Sequence, residues 1–298
     1  EAAEELRAFG AAHPKAADAR LNYIRWLAAE KRHDDAQKAA NALLADVPDN
    51  SDLRYAIAII RVETGDLAGA ELLMRELLDR GFPEADLLRL LLGQIVEEQT
   101  RLPEALALYA EVPVGRHFAA ATDRQARLLF KQGKLADARR LLSSAASRQP
   151  DSTVQFQLVE ADLLRMADKP AESFEVLELT LVLEPDNTEA LYMSAMVAEP
   201  LKKYDLMEQR LRRVMVLKPD YAQAYNALGY SLADRNTRLE EAAPLLDKAL
   251  SLAPDDAAIL DSVAWLKFRQ GDFAGAIEMI QRAMAKLRAR HLLFGISC

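Results

Sequence analysis

The 298-residue chain has little of several features that mark specialised folds. Its single cysteine, Cys298, excludes an intrachain disulfide and a cysteine-based metal cluster. Aromatic residues are only 6% of a chain that is 51% hydrophobic, which favours packed helices over sheets. No apolar run approaches the roughly 18 residues of a transmembrane helix, so we expect no membrane span.

Positive charge is also in deficit. The chain has 38 Lys and Arg residues against 46 Asp and Glu, a net charge of −8, which argues against nucleic acid as a general partner. No signal peptide is visible, and the sequence begins with Glu1 rather than Met. We therefore expect a processed or trimmed start.

Catalytic and cofactor patterns are missing as well. The string G-x-S-x-G, a Walker motif and G-x-G-x-x-G are all absent. Carboxylate pairs such as Glu97-Glu98 fit solvated faces and helix starts better than acid–base catalysis. The four histidines are scattered over different parts of the chain, without metal-ligand spacing: His13, His33, His117 and His291. We therefore predict no catalytic residue, no metal, no cofactor and no enzymatic activity within these residues.

The chain does have a fixed period. Pro-Asp pairs begin at positions 150, 185, 219 and 254, which are 35, 34 and 35 residues apart. The stretch 221–284 shows the unit best, with a small residue in a first helix and alanines in a second helix. We count a leading half unit and eight full units, followed by a tail. Their approximate bounds are 1–14, 15–48, 49–82, 83–117, 118–150, 151–185, 186–219, 220–254 and 255–288, with the tail at 289–298.

The unit follows helix-packing physics. Small residues let two antiparallel helices approach closely, and larger apolar residues such as Leu228 and Leu232 fill the seam between them. Gly65, Gly133 and Gly271 fall between the helices, where a left-handed turn favours glycine. One pair cannot bury its apolar face alone, so neighbouring pairs must stack. The sequence thus predicts an all-α fold in a single array.

The pattern carried by Gly229, Ala242, Ala249 and Pro254 resembles the tetratricopeptide repeat (TPR), a 34-residue helix-turn-helix unit. The resemblance covers nearly the whole chain. It implies an α-solenoid, a right-handed superhelix whose concave groove is lined by the first helices. Such a protein is a scaffold for protein or peptide partners.

The chain departs from the family pattern in places. Glu160 and Met207 occupy slots meant for small residues, and the spacing predicts one extra residue in each of the turns after Met166 and Asp234. We therefore expect a local shift, of about one residue, in the helix that contains Glu160.

The stripe expected to face the groove differs between the two halves. In the C-terminal half it is rich in the residue types found at binding surfaces, and two interpretations stay open: these side chains bind a partner, or they complete the packing between first helices. They are Tyr192, Met196, Asn226, Tyr230, Asp261, Trp265 and Phe268.

In the middle of the chain the same stripe is basic, with Arg124 and Arg127 followed by Lys131 and Arg165. It would suit acidic side chains or a peptide carboxylate. The interpretation that we favour is pairing with the chain's own carboxylates. The Lys and Asn set that chaperone-binding TPR domains use as a carboxylate clamp cannot be assembled here, which argues against a cytosolic co-chaperone.

Part of the C-terminal half has a narrower resemblance, to bacterial envelope TPR lipoproteins. The residues that carry this resemblance are Asn226–Tyr230, Ala233–Arg235, Ile259–Ser262 and Trp265. Some of that group are outer-membrane-anchored adaptors that hold a carboxyl-terminal processing protease and its substrate. The resemblance covers about a quarter of the chain. It implies a periplasmic location and a protease partner, with a cytoplasmic location as the alternative.

Two functional hypotheses follow. The first is a non-enzymatic adaptor that binds a protein or peptide in the groove, with self-association also open through uncapped ends. The second is the TPR region of a larger enzyme, such as a glycosyltransferase or protease. The tail at 289–298 leaves the repeat pattern. The sequence does not decide whether this tail docks onto the last helix pair, contacts another chain or is a cloning remnant.

Overall fold

A computed structural model describes the backbone of residues 16–294 and the side chains of residues 16–286. The described backbone forms sixteen α-helices and one short 3-10 helix, without a strand. The predicted all-α fold is thereby confirmed. The chain divides into two compact units between Gln149 and Pro150, and each is described by itself.

The first unit contains four helix pairs among its described residues. Each pair is closed by a three-residue turn, which makes its two helices antiparallel neighbours. The helices are α1 (Ala17–Ala29), α2 (His33–Asp46), α3 (Ser51–Glu63), α4 (Leu67–Asp79), α5 (Ala85–Glu98), α6 (Leu102–Ala110), α7 (Phe118–Lys131) and α8 (Leu135–Arg148).

The second unit opens with the 3-10 helix Pro150–Ser152 and contains four further pairs. The first helix of a pair also packs on the preceding pair, so that α15 contacts both α13 and α14. The helices are α9 (Thr153–Met166), α10 (Pro170–Leu183), α11 (Thr188–Ala198), α12 (Tyr204–Leu217), α13 (Ala222–Asp234), α14 (Leu239–Leu252), α15 (Ala257–Arg269) and α16 (Phe273–Phe294).

Small residues lie where the two helices of a pair cross. Ala58 and Ala70 are fully buried at the α3–α4 crossing. At Gly93, the ring of Tyr109 occupies the space that a Cβ atom would need. Because close-packed interiors leave no spare volume, these slots set the distance between paired helices.

The expectations around Glu160 and Met166 need one correction. The buried small residue of α9 is Ala161 rather than Glu160, and the Ser173 hydroxyl donates to its carbonyl oxygen at 2.7 Å. The turn after Met166 spans three residues, the same length as the turn before α8, so the predicted extra residue there is wrong. The 35-residue unit instead carries its extra residue within α9, ahead of Ala161, because α9 has 14 residues whereas α13 and α15 have 13 each. The helix shift expected at Glu160 has this origin.

The other two departures are accommodated locally. The turn after Asp234 spans four residues, Arg235–Arg238, so the extra residue predicted there is confirmed. Met207 takes the small-residue slot of α12 and is 1% exposed. A flexible thioether side chain can fill such an irregular gap.

Two sequence predictions concern the chain ends. The leading half unit at 1–14 lies outside the described residues, as does Cys298. The backbone of residues 289–294 continues α16 as helix. Within the described residues, the length and apolar content needed to cross a bilayer are not reached by any helix.

Candidate functional site

The predicted groove residues of the second unit lie on three first helices, α11, α13 and α15. On α11, Tyr192 and Met196 are half-buried. The Tyr192 ring meets the Tyr221 ring edge-on, with 5.3 Å between centroids. Burial raises the pKa of Tyr192, and the neighbouring Tyr221 adds to that rise. Tyr192 is thus largely engaged in packing, and its binding role stays a prediction.

Asn226 on α13 and Trp265 on α15 each hold a polar atom away from solvent. The Asn226 Oδ1 and the Trp265 Nε1 are shielded and have no hydrogen-bond partner among the described residues. Such groups are uncommon in folded proteins because each loses its bonds to water without replacement. They mark a part of this surface whose polar atoms are incompletely satisfied by the chain itself.

Tyr230, Asp261 and Trp265 meet at one cavity of about 680 Å³, formed by α13, α15 and α16. Phe268 lines the same cavity, so the structure brings together four of the predicted residues. We call this surface, together with Met284 one turn further along α16, the terminal face. The remaining cavity-lining residues are Asp234, Ala264, Phe273, Ala276, Ile277, Ile280 and Gln281.

Aromatic rings form a continuous cluster on the terminal face. The rings of Trp265 and Phe268 stack with centroids 5.4 Å apart, and Phe268 meets Phe273 edge-on at 5.6 Å. The guanidinium of Arg269 lies 5.4 Å from the Trp265 ring centroid, within cation–π range. Despite these contacts, Phe268 and Phe273 remain 48% and 59% exposed.

The mouth of the cavity is acidic. The carboxylates of Asp234 and Asp261 lie at its rim, and neither pairs with a cation among the described side chains. Burial raises the pKa of Tyr230, and the negative charges of Asp234, Glu199 and Asp261 raise it further. The site therefore combines an apolar floor with a negatively charged edge.

The exposure of α16 contrasts with that of its counterpart α14. Counting from the equivalent alanines Ala242 and Ala276, Ile280 takes the place of Leu246. Leu246 is fully buried, whereas Ile280 is 38% exposed and Ile277 is 59% exposed. The difference arises because α15 packs on α14, while no described helix packs on the same side of α16.

The predicted basic stripe has carboxylate neighbours. In the first unit, Glu97 lies 3.5 Å from the Lys131 Nζ and 3.9 Å from a terminal nitrogen of Arg124. The Arg127 Nε donates to Asp123 at 2.7 Å. In the second unit, Arg165 donates to Asp162 at 2.8 Å. These pairs match the interpretation favoured from the sequence, and a binding role for Arg124 and Arg127 stays a prediction.

Sequence reasoning missed the contribution of α16. Phe273, Ile277, Ile280 and Met284 recur at helical spacing, a signal that was present in the sequence. The repeat pattern assigns these positions to packing between neighbouring pairs, so they did not stand out as exposed.

Among the described residues, no group of three or more His, Cys, Asp or Glu side chains could hold a metal ion.

Comparison with known proteins finds a relative that also contains TPR repeats. The chain is 40% identical over 195 residues to the TPR repeat-containing protein PA4667 of Pseudomonas aeruginosa. That match covers 65% of this chain and 33% of the relative, so the chain spans about a third of the relative's length.

Solved structures support the fold. A tetratricopeptide repeat protein from Parabacteroides merdae has a TM-score of 0.57 at 17% identity, covering 79% of this chain and 93% of that one. The APC/C hetero-tetramer Cut9-Hcn1 has a TM-score of 0.54 at 18% identity, covering 95% of this chain and 55% of that one. At such identities the likeness shows the fold alone.

A family model described as tetratricopeptide repeat matches residues 55–119, 124–188 and 203–257, more than half of the chain. The matched ranges include the crossing of Ala58 with Ala70 and those at Gly93 and Gly229. The chain therefore belongs to the tetratricopeptide repeat family.

Proposed function

We propose that this chain is a non-catalytic protein-interaction scaffold that binds a protein or peptide partner on the terminal face. The observation that carries the proposal is the exposed apolar cluster around the 680 Å³ cavity. Contiguous exposed apolar surface with a polar rim is typical of interaction sites. Isolated surface hydrophobics are common, but here Phe268, Phe273 and Ile277 adjoin one another.

The terminal face also has the composition of an energetic hot spot. Tyr230 and Trp265 are of the residue types that dominate interface energies, and they lie beside aliphatic side chains that a partner can cover. Burying apolar surface contributes roughly 25 cal/mol per Å² before the costs of association are subtracted. A partner that fills the cavity with a few apolar side chains therefore gains most of its binding energy there.

The experiment is partner capture by the full chain and by single-residue variants. Ile277→Asp places a charge on an exposed position of α16, so we expect the fold to persist and capture to fall at least about tenfold. Tyr230→Ala is expected to weaken capture as well. Val182→Asp is the matched control, because Val182 is an exposed apolar residue of α10 outside the cavity. Equal capture by Ile277→Asp and the unsubstituted chain contradicts the assignment of the site.

The finer proposal is an adaptor in the bacterial envelope, outer-membrane anchored in the natural protein, that holds a carboxyl-terminal processing protease and its substrate. Its support is the resemblance of residues 226–265 to envelope TPR lipoproteins. Cell fractionation of the natural host tests the location, and recovery in the cytoplasm contradicts it. Binding of a purified carboxyl-terminal processing protease, lost in Ile277→Asp, tests the partner.

The alternative of a TPR region within a larger enzyme stays a prediction from the sequence. No observation on the described residues favours it over the scaffold.

A further inference from the structure

We propose that the occupant of the terminal face is an amphipathic α-helix with a positively charged flank. It packs on α15 and α16 in the position that α15 takes on α13 and α14. This inference rests on the proposed function, since it names the chemistry of the partner for the same surface.

The first argument is the equivalence of α14 and α16. On α14, Ala249 packs in one cluster with Ile259 of α15, and the partly buried Leu250 packs against that cluster. The equivalent residues of α16 are Ala283 and Met284, and Met284 is 47% exposed. The surface that α15 covers on α14 therefore recurs on α16 with apolar side chains of similar size and without a described helix upon it.

The second argument is geometric. Phe273, Ile277, Ile280 and Met284 lie at spacings of four, three and four residues, which places them in one stripe along α16. At about 1.5 Å per residue the stripe is about 16 Å long, close to the length of a helix of the size of α15. Such a ridge suits the groove of a second helix.

The third argument concerns the backbone of the occupant. An extended peptide would place its N–H and C=O groups against an apolar surface, where they cost free energy unless paired. The described residues contain no strand whose edge could pair with such a peptide. A helix satisfies its own backbone, so it is the conformation that this surface accepts.

Charge selects among helices. The unpaired carboxylates of Asp234 and Asp261 lie at the rim, and the chain carries a net charge of −8. A second copy of the chain would bring the same carboxylates against themselves, which is unfavourable. A lysine or arginine on the flank of the partner helix would pair with them instead.

The contacts of α15 also suggest where a basic residue lies on the occupant. Arg269, the last residue of α15, donates to the carbonyl oxygens of Ala233 and Asp234 at the end of α13, at 3.1 and 2.8 Å. The equivalent carbonyl groups at the end of α15 belong to Phe268 and Arg269. An arginine at the C-terminal end of the docked helix would make the same bonds.

The probe for the experiment is a synthetic peptide with the sequence 256–269 of this chain and Phe in place of its tryptophan, held helical by a lactam bridge on its outward face and labelled with a fluorophore that does not absorb tryptophan emission. The full chain carries Trp26→Phe, which leaves Trp265 as the only tryptophan. We expect saturable binding by fluorescence anisotropy and a matching change in Trp265 emission. Ile277→Asp should weaken binding at least about tenfold, and Val182→Asp should leave it within about twofold.

The charge of the occupant is tested with two versions of the probe that carry Lys or Glu at the position of Asp261. We expect the Lys version to bind the chain about three to ten times more tightly at low salt. The preference should disappear in the chain with Asp234→Asn and Asp261→Asn. An unchanged preference in that double variant contradicts the role of the rim carboxylates.

Three further results would overturn the inference. The first is equal binding of a probe with Val263→Pro, which cannot form the helix. The second is a dimer of the chain that Ile277→Asp dissociates in sedimentation equilibrium, since the occupant is then a second copy. The third is no binding of any helical probe. If the last occurs while Ile277→Asp still abolishes partner capture, the scaffold proposal stands without the helix; if capture is unaffected, the scaffold proposal itself is wrong.

Discussion

At the scale of single residues, the turns within pairs share one backbone feature. Each of the eight described turns places at least one residue in the left-handed region, and the turn before α14 places two, Asn236 and Arg238. The glycines expected there, Gly65, Gly133 and Gly271, have φ of 81°, 75° and 85°. The remaining five turns use Lys31, Thr100, Asp168, Lys202 and Asn236 at φ between 52° and 63°. The turn thus requires a residue in the left-handed conformation. Where that residue is not glycine, the conformation costs free energy.

Thr100 is the most strained of these residues, because its β-branched side chain is poorly suited to a φ of 63°. We expect Thr100→Gly to raise the free energy of unfolding by about 1 kcal/mol, since glycine adopts this conformation freely. Urea denaturation measures the change. Gly65→Ala is the reciprocal variant and should lower stability by a similar amount; a loss of stability in Thr100→Gly contradicts the strain.

At the scale of elements, four-charge networks join neighbouring pairs. Glu208 on α12 accepts hydrogen bonds from Arg212 and from Arg238 at the start of α14, and Glu241 pairs with both arginines. The first unit repeats the arrangement with Glu71, Arg75, Arg101 and Glu104 across α4 and α6. Because each network spans two second helices, it supplements the apolar contact between pairs.

The Glu208 network predicts a pH dependence. Hydrogen bonds from Arg238 and Arg212 lower the pKa of Glu208 from 4.5 to about 2. A carboxyl whose pKa is depressed by folding stabilises the folded state above its unfolded pKa, and this stabilisation is lost as the pH falls from about 4.5 to about 2. Glu208→Gln should therefore cost about 1–2 kcal/mol at pH 7 and almost nothing near pH 2.

Denaturation of the variant and the unsubstituted chain at several pH values gives this difference directly. Glu240→Gln removes an exposed carboxylate from α14 and serves as the control for the change in charge. A difference between Glu208→Gln and the unsubstituted chain that is the same at every pH contradicts the assignment to Glu208.

The crossing of α13 and α14 depends on Gly229. A Cβ atom at this position would lie 2.6 Å from the Leu246 Cγ and 3.3 Å from the Ala242 carbonyl oxygen. Gly229→Val should therefore force the two helices apart and cost about 2–3 kcal/mol. Gln223→Ala, an exposed change on the same helix, should be nearly neutral. Thermal unfolding compares the two, and an unaffected Gly229→Val contradicts the close approach.

At the scale of the whole molecule, stability in a repeat array is a sum of local terms, since each pair contacts only its neighbours. Gly229→Val should accordingly lower the hydrogen-exchange protection of α13 to α16 and leave that of α1 to α4 unchanged. Mass spectrometry of exchanged peptides measures both regions. A uniform loss of protection from α1 to α16 would show that the chain unfolds as one cooperative body instead.

Much of the fold was predictable because its signals are local. The 34-residue period, the buried small residues and the turn glycines all follow from interactions within one helix pair. The exact register of α9 was not predictable, because the extra residue of a 35-residue unit can lie in the turn or in the first helix ahead of the small-residue slot. Only the burial of Ala161 decides between the two.

The candidate site, too, was only partly predictable from the sequence. Tyr230, Asp261 and Trp265 were predicted from their places on first helices, and the cavity brings them together. The contribution of Phe273 and Ile277 was not predicted, because the same repeat positions are covered in the preceding described pair.

The sequence by itself determined the helix pair, its period and its apolar slots, because short-range packing and turn geometry suffice to specify them. Tertiary structure decided which slots are covered. Leu246 and Ile280 occupy equivalent positions with nearly the same side-chain chemistry, yet one is fully buried and the other 38% exposed. The reason is that exposure depends on the neighbouring helix and not on the residue, and only α14 has that neighbour among the described residues.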